Sequence, residues 1–340
     1  MSDFRSLLMQ GGWWLARFLG VACRVVVILW GAAAIWYWSV PMAWLVALLF
    51  IALGCRALWI GRDHVSFAVF ACAFLTLVAY WTSLRPRNDR DWSPDVAVTP
   101  AAQIEGDRVR ITGFRNFDHH TREDFTERWE AREVALSKLV AVDLLLSYWT
   151  PEPGNMAHTF LSFVFEDAPP VCISVEARKE RGEVYRAVRS MFKHYELAYV
   201  VGDERDIVRV RTDIRGEKVF LYRLQLTPLA MRRLFLDYLA GMNELAARPQ
   251  FYHLLSNNCT TNIRKHTRAP GFTSPFIWRM LLNGLSDSYI YDVGGLNRSL
   301  PFAELKKRSF ISPAAKAAQN SEDFSRRIRE GLPGFDAAGG

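Results

Sequence analysis

Three apolar runs near the N-terminus constrain this chain more than any other feature. They extend from about Val21 to Trp38, Met42 to Ile60 and Val65 to Trp81. Each approaches the roughly 20 residues needed to cross a bilayer core. Trp13, Trp14, Trp36, Tyr37, Trp38, Trp59, Tyr80 and Trp81 gather near their ends, where amphipathic rings favour the headgroup level. A cleaved signal peptide fits the first run poorly: Arg24 lies inside it, no small-residue cleavage site stands out, and two further runs follow at once. Residues 1–84 are therefore expected to form a membrane domain with three transmembrane helices.

Of the net charge of +7, +5 lies in residues 1–90, around the apolar runs, and it is no sign of nucleic-acid binding. Residues 1–90 hold eight Arg and three Asp, whereas the remaining 250 residues hold 34 basic and 32 acidic side chains. Basic residues flanking apolar runs are the usual arrangement in membrane proteins, and no basic stripe with interleaved aromatics follows. Arg5 and Arg17 precede the first run, and Arg56 and Arg62 flank the joint between the second and third. The positive-inside rule places both in the cytoplasm, so three crossings put everything after Trp81 outside. The cluster Arg85, Arg87 and Arg90 opposes this orientation weakly, because a long following domain overrides such charges. The expected location is the inner (cytoplasmic) membrane, multi-pass, with the soluble domain in the periplasm.

Residues 85–105 are read as a polar linker, 106–311 as the soluble domain and 312–340 as a loose tail with a short helix near Asp323–Glu330. Within the domain, strands are expected at Arg108–Phe114, Phe125–Leu136, Val142–Trp149, Leu197–Val201, Ile207–Thr212 and Lys218–Leu226. His158–Phe165 and Val171–Ala177 form a hairpin around Glu166–Pro170. Thr227 and Pro228 start a helix that ends before Pro249. These elements predict an α+β fold, an antiparallel sheet with helices packed on one side, preceded by the three membrane helices.

The chemistry centres on Phe251–Ile263, in which an apolar piece stops at Ser256-Asn257-Asn258 and Cys259 opens a helix capped by Asn258. Free N–H groups and positive potential at a helix start favour a thiolate, the nucleophilic form of cysteine, and can hold an oxyanion. A free cysteine is more often a small buried hydrophobe, and a disulfide with Cys172 also stays open. For the base, His158 opens a strand just after a Pro- and Gly-containing turn. His119 and His120 read as solvated, His194 and His266 as surface, and His253 as a contributor from the approach strand. With the hairpin centred near Ala168, His158 faces Arg178 and Glu176 lies diagonal on the same face. Glu176 or Ser174 would orient the imidazole; Arg178, Asn257, Asn258 and Tyr252 are candidates for substrate or oxyanion contacts. No ligand set for a metal, no Walker loop and no Gly-rich dinucleotide turn is found, so neither metal nor cofactor is expected.

Five blocks occur in order: Gly154–Leu161, Ser174–Glu180, Tyr199–Asp206, Asn243-Glu-Leu and Asn257-Asn-Cys-Thr-Thr261. Together they resemble the N-terminal periplasmic domain of the Lnb-type lipoprotein acyltransferases, over about Val109 to Leu296. The resemblance implies a permuted papain-like (NlpC-type) thiol fold with Cys259 and His158 as the catalytic pair. It also implies transfer of a fatty acyl chain from the glyceryl group of a lipoprotein to its N-terminal amine through a thioester, with a membrane lipid or lipoprotein as substrate; the charge placement above argues against nucleic acid. This chain departs from the pattern in carrying its apolar runs before the domain, which leaves acyl donor and acceptor open. A periplasmic cysteine peptidase or amidase of cell-wall peptides is the second expectation, and a non-enzymatic binding or scaffold domain the third.

Overall fold

The computed structural model describes residues 2–38, 41–60, 63–149, 154, 156–267 and 283–335. They fall into two compact units, one of residues 1–86 with 188–194 and one of residues 87–187 with 195–340.

The first unit contains α1 (Ser2–Trp36), α2 (Ala43–Cys55, continued by a π turn to Ile60) and α3 (His64–Ser83). Three stretches within them, Trp13–Trp36, Ala43–Ile60 and His64–Ser83, are long and apolar enough to cross a membrane. Small residues let the helices approach. Ile28, Ala32, Ala47, Phe50, Phe70 and Leu77 bury one another, while Trp14, Phe18, Leu49, Val65 and Leu75 stay more than half exposed. An apolar outer surface of that kind suits lipid rather than water. The third helix is capped by Asp63, which accepts from Ser66 N–H at 2.6 Å.

The second unit is built on an eight-stranded sheet. Its strands are β1 (Ala101–Glu105), β2 (Arg108–Arg115), β5 (Trp129–Ala135), β6 (Leu139–Tyr148), β7 (His158–Phe165), β8 (Val171–Arg178), β9 (Glu196–Gly202) and β10 (Lys218–Arg223). A separate small ladder pairs β3 (Asp118–His119) with β4 (Phe125–Thr126). The order is β1-β2-β9-β8-β7-β6-β10, with β5 also pairing β2. All pairings are antiparallel except β2 with β9, which meet in parallel at Arg115 and Gly202. Glycine is required there, since a Cβ on Gly202 would lie 2.4 Å from the Arg115 carbonyl oxygen.

The central strands are apolar on both faces. On one, Leu144, Leu161, Phe163, Ile173 and Tyr199 pack beneath α5 (Pro228–Ala247), where Phe163 and Phe235 place their ring centres 4.8 Å apart. On the other, Leu145, Phe160, Cys172, Val200 and Leu221 are covered by Ile207, Val208 and the C-terminal segment. Helices thus cover both sides of the sheet rather than the one expected. Near-continuous apolar runs are what doubly covered strands require.

Four local expectations change. Ile207–Thr212 is not a strand: Asp203 accepts from Arg205 N–H and starts α4 (Glu204–Ile207), followed by a π turn at Val210–Ile214. Phe125–Leu136 is split between β4 and β5. The supposed linker belongs to the fold, for Trp92 and Val96 are buried and β1 is in the sheet. The tail is not loose. After α6 (Cys259–Thr267), α7 (Ser286–Asp292) and α8 (Phe302–Arg308), it forms α9 (Ser312–Ala317) and α10 (Phe324–Arg327), and buries Ala315, Ala318, Phe324, Ile328 and Leu332. Its small and apolar side chains recur on one side and fit against the second face of the sheet.

Candidate functional site

Cys259 is the first residue of α6, as its neighbours dictate. The Asn258 side-chain oxygen accepts from Thr261 N–H at 2.9 Å, and Asn258 N–H donates to Thr261 Oγ1 at 2.8 Å. This reciprocal cap satisfies donors that a helix start leaves unpaired. Asn257 fixes the preceding turn, donating to the Phe251 carbonyl at 2.9 Å and accepting from Asn262 Nδ2 at 3.0 Å. Thr260 ties the helix to β7 through Thr159, with the two hydroxyl oxygens 3.1 Å apart.

His158 is the first residue of β7 and lies opposite Ser147 of β6. The hairpin is centred at Asp167, so Phe160 faces Ser174, two residues away from the predicted register. A two-residue slip preserves the faces of both strands, and the carboxylate lands closer than expected. His158 Nε2 lies 2.6 Å from Ser174 Oγ and 3.2 Å from Glu176 Oε1. Ser174 Oγ donates to Glu176 Oε1 at 2.7 Å. Sequence left Ser174 and Glu176 as alternatives; the structure engages both. With Nε2 so occupied, Nδ1 is the nitrogen left for the thiol, with which the imidazole interacts electrostatically.

The charges follow from this arrangement. Burial pushes the Cys259 thiol up, but His158 and hydrogen bonds from Thr159 outweigh it and hold the thiol at about 6. Burial disfavours the His158 imidazolium, yet Glu176 and Cys259 raise it to about 9. Burial also acts against the Glu176 carboxylate, of which 28% remains exposed, while His158 and Arg211 keep it well below the usual carboxylate range. The Cys259 and His158 shifts both favour the thiolate–imidazolium form of the pair.

Arg211 escaped the sequence reading because it lies in the segment taken for a strand. Its Nη2 donates to Glu176 Oε1 and its Nη1 to the Ile207 carbonyl, both at 2.6 Å. Its guanidinium sits 4.6 Å from the Phe160 ring centre, and that ring stacks on His158. Asn283 was missed as well. It stands 24 residues beyond the cysteine with no motif around it, and its Nδ2 approaches Cys259 Sγ at 3.8 Å. Its Oδ1 accepts from Ala157 N–H at 3.1 Å.

Other candidates are placed elsewhere. Arg178 donates to the carbonyls of Val96 and Ala97 and to Asn88, and lies over Trp92, so it holds the N-terminal segment of the domain rather than a substrate. Tyr252 is buried near the site, its hydroxyl pushed well above its usual range by burial and then by Cys259 and Tyr185. His253 is committed to its own turn, with Nδ1 2.9 Å from Ser256 Oγ. His119 and His266 are buried, not solvated: His119 bonds Asp206 at 3.0 Å, and His266 bonds Tyr199 and Asp237, each at 2.7 Å. His120 is exposed as expected. Cys172 and Cys259 are both free thiols.

Three membrane-length apolar helices and an α+β domain bearing a Cys–His–Ser–Glu constellation, buried except at Glu176, define a membrane protein with a thiol-containing domain. Residues 125–284 match the Lnb N-terminal periplasmic domain family, the family that the five sequence blocks resemble, and this similarity implies a periplasmic domain of a membrane protein. No curated protein and no solved structure matches the chain.

Proposed function

We propose that this protein is a membrane-anchored thiol acyltransferase or lipid deacylase. It takes an acyl chain from a lipoprotein or phospholipid onto Cys259 as a thioester. The observation that carries this reading is the placement of Cys259 at the start of α6 with His158 oriented by Ser174 and Glu176, an arrangement whose charges favour thiolate and imidazolium. Such a pair supplies nucleophile and acid together. The Cys259 thiolate attacks the ester carbon, and the His158 imidazolium gives its proton to the departing alcohol oxygen. An amine or water then attacks the thioester and returns a proton to His158, releasing the thiolate. Attachment to three apolar helices supports a substrate whose chains lie in the bilayer. The positive-inside charge pattern supports the inner membrane, with the domain in the periplasm.

Intact mass spectrometry of the purified protein with lipid or lipoprotein donor tests this. Wild type is expected to gain an acyl mass that Cys259→Ser and His158→Ala do not. Cleavage of a cell-wall peptide without an adduct would replace the proposal with an amidase. Inactivity on both substrates would leave a binding or scaffold domain.

A further inference from the structure

Asn283 is the side chain whose position the steps above leave unused. Its amide is oriented by the backbone: Oδ1 accepts from Ala157 N–H at 3.1 Å, so Nδ2 is the end turned to Cys259 Sγ, at 3.8 Å. Ala157 is fully buried and directly precedes His158. The same residue therefore braces the start of β7 and presents an N–H donor to the nucleophile. A donor of this kind stabilises a thiolate weakly, because sulfur is a poor acceptor. Its value lies one step later.

We propose that Asn283 is a catalytic residue, an oxyanion donor for acyl transfer on Cys259. This rests on the thiol acyl-transfer reading above. When Sγ bonds to the ester carbon, the carbonyl π pair moves onto oxygen, which then lies two bonds from Sγ. Asn283 Nδ2–H is within reach of that oxygen, and the first-turn N–H groups of α6 supply the second donor. Collapse of the adduct re-forms the carbonyl, breaks the bond to the leaving oxygen and passes the His158 proton to it. Preorganisation is the reason to place an amide here: Ala157 holds it from the far side, so no reorientation accompanies the charge as it develops.

The test compares two rates in the full-length, detergent-solubilised protein, each on its pH plateau. One is alkylation of Cys259 by iodoacetamide, which needs the thiolate but no oxyanion. The other is single-turnover acylation by a p-nitrophenyl acyl ester, followed by p-nitrophenolate release and thioester mass. Asn283→Ala removes the amide; Asn283→Asp keeps an acceptor for Ala157 N–H and loses the donor. In both variants acylation is expected to fall roughly 100- to 1,000-fold, with alkylation within about threefold of wild type, a split that loss of a brace alone does not produce. Parallel loss of both rates, or near-wild-type acylation in Asn283→Asp, would mean that Asn283 only braces β7 and would overturn the proposal. If wild type alkylates at Cys259 yet is never acylated, the acyl-transfer reading itself fails, and this inference with it.

Discussion

Burial by itself would make Cys259 an inert thiol, and the imidazole is what reverses that. The thiol is lowered to about 6 and the imidazole raised to about 9, so the ion pair persists between those values. Below the window the thiolate takes a proton; above it the imidazolium loses one. Cys259 alkylation in wild type should therefore hold near its plateau down to about pH 6. In His158→Ala the thiol loses its counter-charge while burial remains, so the acid limb moves up by several units. A higher thiol pKa also makes each thiolate more nucleophilic, which returns part of the rate. At pH 6 a net fall of roughly tenfold or more remains. Peptide-level mass spectrometry of alkylation against pH measures it, and an unchanged acid limb would mean that His158 does not form the pair. Cys259, His158, Ser174 and Glu176 were all visible in the sequence, because a strand-opening histidine, alternate positions of a hairpin and a capped helix start are local patterns. Asn283 was not, since a lone amide acquires meaning only through its distance from the sulfur.

Elements explain why Arg211 stayed hidden. Ile207-Val-Arg-Val-Arg-Thr212 alternates as an edge strand does, and periodicity alone assigns it so. Asp203 overrides the pattern by capping a helical turn, and Ile207 and Val208 then bury against the sheet while Arg211 reaches Glu176. Arg211 touches no reacting atom; it positions Glu176, and through Ser174 the imidazole. Arg211→Met keeps an apolar stem over Phe160 but takes one partner from Glu176 Oε1, leaving Ser174 and His158. Acylation should fall about tenfold, the equivalent of ~1.4 kcal/mol, in kcat more than in KM. Arg211→Lys should lie between the two, since it restores charge without the forked geometry that serves Glu176 and the Ile207 carbonyl together. Equal loss in Lys and Met variants would show that the fork matters and the charge does not. Equal activity in all three would remove Arg211 from the site. The hairpin taught a related lesson: its strands were legible, but a five-residue connection leaves the register to packing, and the two-residue shift put Glu176 within reach of His158.

At the scale of the molecule, the division into a membrane part and an α+β domain could be read from apolar run length and charge placement. The extent of the domain could not. Both of its ends look polar because they carry charges, and most of these stay exposed, but Arg329 sits in largely buried ion pairs. Arg329 donates to Asp143 at 2.9 Å and grips both oxygens of Glu204, while Asp143 also receives Arg223 and Glu204 receives Ser162. Burial opposes the Arg329 charge, but Glu204 and Asp143 raise its pKa well above normal, and Arg329 and Ser162 in turn hold Glu204 low. A segment judged by composition as loose is thus fastened to the sheet face opposite α5. Removing one partner of a buried pair leaves the other unpaired at a typical cost of ~3–5 kcal/mol. Here Arg223 and Ser162 remain as partners, so Arg329→Met should cost about 3 kcal/mol, at the lower end. Thermal unfolding of the detergent-solubilised protein should shift down, and limited proteolysis should cut within 312–335 before it touches β6 or β7. Loss of the tail would uncover Val219, Leu221 and Phe160, the last being the ring between Arg211 and His158. The same variant should therefore slow Cys259 acylation. Full acylation at an unchanged melting temperature would show that the tail packs there without supporting the site.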